Sequence, residues 1–458
     1  MRLTDDALAP ALLFIAFAAL ALCMPPQNDT WWHLRAGREM IETRGILTTE
    51  RFSHTAFGAP LYHNHEWLTQ LLFYGLFVAG GPFLLALFCA ACVVTAVAGA
   101  WSLVQGRSEF RFGFLALIMV GSVSEWAIRP QAISLALFML AVHMVIKERD
   151  QWLPLLCVIW SNMHGVAIVG TVIAGCSALE AIVWSRHRAR RAILIAAGCA
   201  LASIATPQGW HYWPRTLQVV RTVRALQIHE HRSSFEISEL PFWITLLALL
   251  ILVVRKAPSI ASETRDTRVL VLTALVFAIA GALSVRNTPL FFMLGVPALS
   301  RLLPLPATQR TTKPAPLATV VFVGLMTIVG AAGVAVAWRE GGARLGWTPM
   351  SASVIAAVRQ CQGRLFNGFA DGGILAWFVP ERRVFVDSRG VEAYPIQLLL
   401  RSREADLSGQ YQQLFQEFDI GCAAVAADSP VARQLRADGI LRQQYADDQW
   451  AVFARVAP

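Results

Sequence analysis

Charge is scarce in this chain. Of its 458 residues only 15% are Asp, Glu, Lys or Arg, while 56% are hydrophobic and the mean hydropathy is +0.51. Soluble domains carry roughly 25% charge, so this composition, cut into repeated apolar runs near 20 residues, excludes a soluble globular protein. It implies a polytopic α-helical membrane protein. Lysine is almost missing, with only Lys147, Lys256 and Lys313. From Gly346 onward there are 11 arginines, no lysine and 12 acids, a net of −1 that leaves +10 for the remainder. The basic character therefore belongs to the membrane part, and nucleic acid is not an expected partner. No CxxC or Cys/His pattern speaks for zinc, and no GxGxxG for a nucleotide. Six of the eight cysteines (Cys23, Cys89, Cys92, Cys157, Cys176, Cys199) lie in apolar runs as small buried residues. Only Cys361 and Cys422 fall in the tail, where a disulfide is open. A small-residue cleavage site is also lacking after the first apolar run, so that run reads as a retained span.

The apolar runs are 7–24, 83–104, 112–127, 131–147, 152–161, 163–184, 192–206, 241–256, 269–285, 288–303 and 318–338, about 11 spans. A further run, 67–79, is short for a crossing, which takes about 20 residues, and it ends at Gly80-Gly81-Pro82, which break a helix. Arg186, Arg188, Arg190 and Arg191, the group Arg255, Lys256, Arg265 and Arg268, and the pairs Lys147/Arg149 and Arg310/Lys313 mark the cytoplasmic side. Counting from them, 105–111 is inside and 129–130 outside, and the segment Gln27 to Gln70 is outside if 67–79 lies along the interface. The N-terminus is then cytoplasmic and the tail extracytoplasmic. The expected division is a transmembrane domain 1–345, including a first external loop 25–82 with interfacial helices, and a small soluble α/β domain 346–458. In that tail, alternation marks strands at 364–367, 383–387, 421–426 and 450–454, with amphipathic stretches near 351–360, 395–418 and 429–437.

What is present concentrates on the outer side. Gln27 to Gln70 holds Asp29 beside Trp31-Trp32, four arginines, four histidines and Glu66. Outer segments also carry Arg129, Arg215, Arg221, Arg224, Arg232 and Arg286. Guanidinium forks bind phosphate oxygens bidentately and do not titrate; headgroup anchoring is the alternative. Arg129 and Arg286 each sit at a span end with a polar neighbour, Gln131 and Asn287, and Glu125 lies one turn before Arg129, placed to orient it. Trp160-Ser161-Asn162-Met163-His164-Gly165 interrupts an apolar stretch, where polar groups either line a cavity or satisfy a helix break.

The motifs DTWWHLR, HEWL, RPQ, WxNxHG, PxGW, GG-x-L-x-W and VFVDSRG resemble those of a group of bacterial multi-spanning proteins known mainly as uncharacterised glycosyltransferases. The wider architecture is similar to the GT-C class of membrane glycosyltransferases. That resemblance implies transfer of a sugar or glycan from a polyprenyl-phosphate-linked donor to a glycan, lipid or protein acceptor at the outer face of a bacterial inner membrane. It assigns Asp29 as general base and Arg129, Arg286, Arg215 and Arg232 as phosphate or donor contacts. His33, His63, His65, Glu66, Asn162, His164 and Glu230 fall to the acceptor or cavity, and Asp387 and Arg389 form the candidate in the soluble domain. Asp29, His65 and Glu66 are the residues for a divalent cation, Mg or Mn. Gln27 stands where a second Asp often occurs in the group, which leaves an acidic metal-binding pair incomplete. Structural alternatives remain for three features: Asp29 as a helix N-cap, Trp31-Trp32 as an interfacial aromatic belt, and His63 to Glu66 as a cap of the helix that follows. A transporter or flippase of lipid-linked glycans, a polymerase or ligase, and a non-catalytic scaffold share these features; a transporter would also want polar groups through the full depth of the bundle.

Overall fold

The structure, a computed structural model, describes residues 5–61, 64–166, 168–211, 213–214, 229–305 and 316–455. Each of the eleven apolar runs is occupied by a helix, from Asp5–Leu22 to Leu317–Ala337. Among the described residues, four helices (Trp67–Ser102, Leu240–Ser262, Arg265–Leu283, Leu317–Ala337) are long and apolar enough to cross a membrane. Pro10–Leu22, Pro130–Ile146 and Ile168–Trp184 are shorter apolar helices. The chain is a polytopic helical membrane protein.

The 36-residue helix Trp67–Ser102 is two helices in series. Gly80 and Gly81 leave helical geometry, and Gly81 has φ +65°, a conformation that glycine alone adopts without strain. The break expected at Gly80-Gly81-Pro82 is therefore real. It also coincides with a division of the chain into two compact units: Met1–Met24, Phe83–Trp210 and Gln227–Arg339 form one, and Pro25–Pro82, His211–Leu226 and Glu340–Pro458 the other. Segment 25–82 thus groups with the tail, whereas it was expected to group with the helices.

In the helical unit, prolines set where helices begin. Pro130 opens Pro130–Ile146, and Arg129 before it is extended (φ −145°, ψ 163°). A residue preceding proline is driven from the α region, while proline itself suits the first helical turn. Pro154, Pro241 and Pro289 are the second residues of Leu153–Met163, Leu240–Lys256 and Thr288–Leu302, also within the first turn.

In the other unit, the four strands β1 (Arg364–Phe366), β2 (Ile420–Ala426), β3 (Arg442–Ala446) and β4 (Trp450–Ala454) form a sheet in the order β1-β2-β4-β3. β1 and β2 are parallel, and the other pairs are antiparallel. Cys361 and Cys422 are joined by a disulfide, with Cα atoms 5.7 Å apart. The expected strand 383–387 is not part of the sheet. Its hydrogen bonds are taken elsewhere: Phe385 N–H donates to Asn367 Oδ1 at 2.7 Å and Asn367 Nδ2 donates to the Val386 carbonyl at 2.7 Å. On its other edge, Val384 N–H donates to the Phe52 carbonyl at 2.9 Å, and His54 N–H donates to that of Val384 at 3.0 Å. A buried side-chain amide and the loop 52–54 thus replace two strand neighbours. β3 was not expected, because its side chains are mostly exposed and polar.

The core of this unit is shared by segment 25–82 and the tail. Ala36, Met40, Leu47 and Phe52 pack in one buried cluster with Val354, Val358, Leu365, Leu375, Val384 and Val452. Trp31 is buried against Phe378, with ring centroids 5.0 Å apart, and against Trp347 at 5.7 Å. The tryptophan pair is therefore core and does not form an interfacial belt. Gly37 brings the helix Asn28–Thr43 onto the helix that starts at Trp67; a Cβ there would lie 2.2 Å from the Gln70 carbonyl oxygen.

Candidate functional site

The functional candidates fall into clusters that lie inside one unit or the other. In the helical unit, Arg129 and Arg286 converge on one carboxylate. Arg129 Nη1 lies 3.4 Å from Glu230 Oε2, and Arg286 Nη1 lies 3.4 Å from Glu230 Oε1. The Gln131 amide meets the two guanidiniums with its oxygen, the orientation that gives both donors an acceptor; Arg129 Nη2 donates to it at 3.3 Å, and Arg286 Nη2 also donates. Arg286 Nη1 is 3.3 Å from His231 Nε2. Glu125, half-buried in the turn Val123–Glu125, is within electrostatic reach of Arg286 and Arg129.

The backbone explains this convergence. Arg129 is the N-cap of Pro130–Ile146, and Arg286 occupies the short turn Val285–Asn287 that opens into Thr288–Leu302. Two helix N-termini, each contributing partial positive charge, are thus joined by two guanidiniums. Glu230 is presented by a main chain pinned to the same turn: Val285 N–H donates to the Arg232 carbonyl at 2.9 Å, Ser234 N–H to that of Ala282 at 3.1 Å, and Ser284 Oγ to that of Glu230 at 3.3 Å. Burial pushes the Glu230 carboxyl up, but the His231 hydrogen bond and the charges of Arg286 and Arg129 outweigh this and hold it well below the ordinary carboxylate range. It is therefore ionised at neutral pH. Arg232 joins the cluster through its carbonyl. Arg215, Arg221 and Arg224 lie outside the described residues, as does His63.

Asn162 and His164 satisfy a helix break. Asn162 Nδ2 donates to the Val158 and Ala205 carbonyls, each at 2.8 Å. His164, the extended C-cap of Leu153–Met163, is buried with Nδ1 2.7 Å from Ser134 Oγ, which also accepts from Trp160 Nε1 at 2.9 Å. These bonds close the interruption that the WxNxHG pattern marks.

In the other unit, Asp29 sits in the first turn of Asn28–Thr43, whose N-cap is Gln27, so Asp29 is not the cap. Its Oδ1 accepts from Ser388 Oγ at 2.6 Å and from Trp32 Nε1 at 3.2 Å. Two donors on one oxygen orient the half-buried carboxylate. Three loop arginines are held by neighbouring acids: Arg35 by Glu39 at 2.9 Å, Arg38 by Glu42 at 2.7 Å and Arg51 by Glu39 at 3.1 Å. These pairs belong to helix surface chemistry.

His33, His65 and Glu66 gather with Glu392. His33 Nε2 lies 3.7 Å from Glu66 Oε2, and His65 Nε2 lies 3.7 Å from Glu66 Oε1 and 3.8 Å from Glu392 Oε1. Glu66 and Glu392 line a small open concavity together with Trp32, Asn64, Gln70 and Arg389. Asp29, His65 and Glu66 are the residues expected for Mg or Mn. Among the described residues no three or more His, Cys, Asp or Glu side chains are grouped to hold a metal ion. Asp29 is instead committed to Ser388 and Trp32.

Asp387 and Arg389, the tail candidates, form a buried ion network. Arg389 Nε lies 2.9 Å from Asp387 Oδ1, Nη2 lies 2.5 Å from Oδ2, and Nη1 pairs with Glu50. Tyr394 OH donates to Asp387 Oδ2 at 2.9 Å, while Glu50 Oε1 accepts from the N–H groups of Phe52 and Ser53, each at 2.7 Å. Burial opposes the Arg389 charge, but Asp387 and Glu50 outweigh it and raise its pKa further. This network ties the segment around Glu50 to the tail within one unit. Glu50 was missed because nothing in TTERFS marks a buried acid. Gly372-Gly373 packs tightly: a Cβ on Gly372 would lie 2.0 Å from the Val386 carbonyl oxygen, and one on Gly373 would lie 2.6 Å from that of Asn28.

Asp371 and Asp406 were also missed. Their carboxyl oxygens lie 3.0 and 3.3 Å from the position a Cβ of Gly368 would take. Burial, with the neighbouring Asp406, pushes Asp371 up to about 7, and burial pushes Asp406 up to about 6 against the Phe369 N–H and Arg403.

No protein-family model and no curated protein matches the chain. Solved structures do. The chain is similar to the archaeal oligosaccharyltransferase AglB from Archaeoglobus fulgidus, solved with an inhibitory peptide and a dolichol-phosphate: TM-score 0.56 and 11% identity over 92% of this chain and 69% of that one. Its fold is that of this membrane glycosyltransferase. Two further likenesses are ArnT from Cupriavidus metallidurans bound to undecaprenyl phosphate (TM-score 0.47, 13% identity, 98% of this chain and 97% of that one) and the arabinofuranosyltransferase AftD from Mycobacteria (0.49, 14%, 100% and 40%).

Proposed function

We propose that the protein is a membrane glycosyltransferase that moves a sugar or glycan from a polyprenyl-phosphate-linked donor to a glycan, lipid or protein acceptor. The observation that carries this reading is the pair Arg129 and Arg286, set at two helix N-termini and straddling one carboxylate, in a chain with the fold of AglB, whose structure holds a dolichol-phosphate. Two fixed guanidiniums suit a phosphate that gains charge as it leaves. In the reaction the bond between the donor sugar's anomeric carbon and the phosphate oxygen breaks. A new bond forms from that carbon to the acceptor heteroatom. The phosphate keeps the electron pair, and the acceptor proton passes to Asp29. Ser388 and Trp32 orient Asp29 for this step. No step is assigned to a metal ion.

The Cys361–Cys422 disulfide supports an extracytoplasmic tail, since disulfides persist outside the reducing cytosol. With the arginine-rich cytoplasmic loops, it favours catalysis at the outer face of a bacterial inner membrane and a cytoplasmic N-terminus. The test is Asp29→Asn in full-length purified protein supplied with a polyprenyl-phosphate-linked sugar. Turnover is expected to fall by roughly 10²–10⁴-fold, the scale of a lost general base, with donor binding retained. Unchanged turnover removes Asp29 from catalysis.

A further inference from the structure

Glu230 stands where an anion would be expected between Arg129 and Arg286, and its geometry is unusual for a permanent salt bridge. Charge-assisted guanidinium–carboxylate contacts run at about 2.7–2.9 Å and are frequently bidentate. Here each guanidinium offers Nη1 to a different oxygen of the same carboxylate, and both distances are 3.4 Å. The carboxylate bridges the two arginines loosely and docks squarely on neither. The arginines gain a closer acceptor in Gln131, which holds them side by side independently of Glu230. Its main chain is pinned to residues 281–285, so only the side chain needs to swing for the position to open. With a third of the Glu230 side chain exposed, the carboxylate is not enclosed on every side.

Charge gives the exchange a direction. One carboxylate carries one negative charge, whereas a phosphate monoester at neutral pH carries between one and two and offers three acceptor oxygens, so it matches two guanidiniums more completely. His231 Nε2, 3.3 Å from Arg286 Nη1 and 3.5 Å from Glu230 Oε1, borders the same position.

We propose that Glu230 is an internal counter-ion that occupies the phosphate position between Arg129 and Arg286 and is displaced by the phosphate monoester of the polyprenyl carrier, the group generated when the bond between sugar and phosphate breaks. The inference rests on the reading of this pair as a phosphate site. Glu230 then keeps two like charges compensated in the empty protein. It also limits affinity for the phosphate, so that the carrier phosphate left after transfer is released and not retained.

The test is equilibrium binding of farnesyl monophosphate and, separately, of inorganic phosphate to the full-length protein in detergent, comparing the native protein with Glu230→Gln and Arg129→Gln. Removing the competing charge in E230Q is expected to tighten farnesyl monophosphate about tenfold, the order set by one unit charge a few ångströms away in partly screened surroundings. Its dissociation is expected to slow. Glu230→Asp, which keeps the charge but draws it back by one methylene, is expected to tighten by a smaller factor and serves if E230Q does not fold. Equal tightening for inorganic phosphate identifies the phosphate group alone as the displacing ligand; tightening for the farnesyl ester alone assigns the site to a lipid headgroup. Either upholds the exchange. Binding that weakens or stays unchanged in both Glu230 variants, while R129Q weakens it, overturns the exchange and makes Glu230 a support for the arginines. Binding unaffected in R129Q removes the phosphate site itself.

Discussion

The arginine–carboxylate clusters at Arg389 and at Arg129/Arg286 are built on opposite lines. Arg389 is buried, clasped by Asp387 through contacts of 2.5–3.1 Å, closed off by Glu50, and its carboxylates are further satisfied by Tyr394 and by main-chain N–H groups. Arg129 and Arg286 are partly exposed and meet Glu230 only at 3.4 Å. The first has no capacity left for a ligand. The second holds its charges at helix N-termini with one loosely bound anion between them. A sequence shows both as arginines near acids; what separates structure from function is whether the partners saturate each other.

The comparison can be broken at its closed end. Arg389→Ala leaves Asp387 and Glu50 buried without their counter-charge, and removing one partner of a buried ion pair costs about 3–5 kcal/mol. Chemical denaturation followed by the disulfide-bearing unit's tryptophan fluorescence is expected to show that loss. A midpoint unchanged from native would mean the network is not structural.

A smaller effect sharpens the same contrast through pH. Asp371 and Asp406 have folded values raised to about 7 and about 6 by burial, above the ordinary Asp value of about 3.9. Their protonated forms therefore favour the fold. This contribution is complete below about pH 4 and is lost as the pH rises through about 6 to 7. The thermal midpoint of the full chain is expected to fall across that window, and Asp406→Asn is expected to flatten the slope. A native profile already flat there contradicts the assignment.

Much of this was legible beforehand, and the reasons for the misses are physical. Apolar length placed a helix on every run, and Gly80-Gly81-Pro82 marked the break because Gly81 must take positive φ. Arg129 and Arg286 could be named because each ends an apolar run beside a polar neighbour, Gln131 and Asn287. The misses share one cause, which is long-range pairing of polar groups. Nothing local tells that Asn367 takes the backbone bonds of 385–386 in place of a strand, or that Glu50 is the buried partner of a residue 339 positions away. For the same reason segment 25–82 was expected with the helices, although Gly37, Trp31 and Phe52 build it into the core of the tail.

Whether the loose cluster is the reactive one is decided by the double variant Arg129→Gln/Arg286→Gln in a sugar-transfer assay with a polyprenyl-phosphate-linked donor. Because losing a single transition-state donor costs about 10²–10³-fold, turnover is expected to fall by about 10³-fold or more with no change in unfolding temperature. Turnover equal to native would mean that Arg129 and Arg286 take no part in transfer.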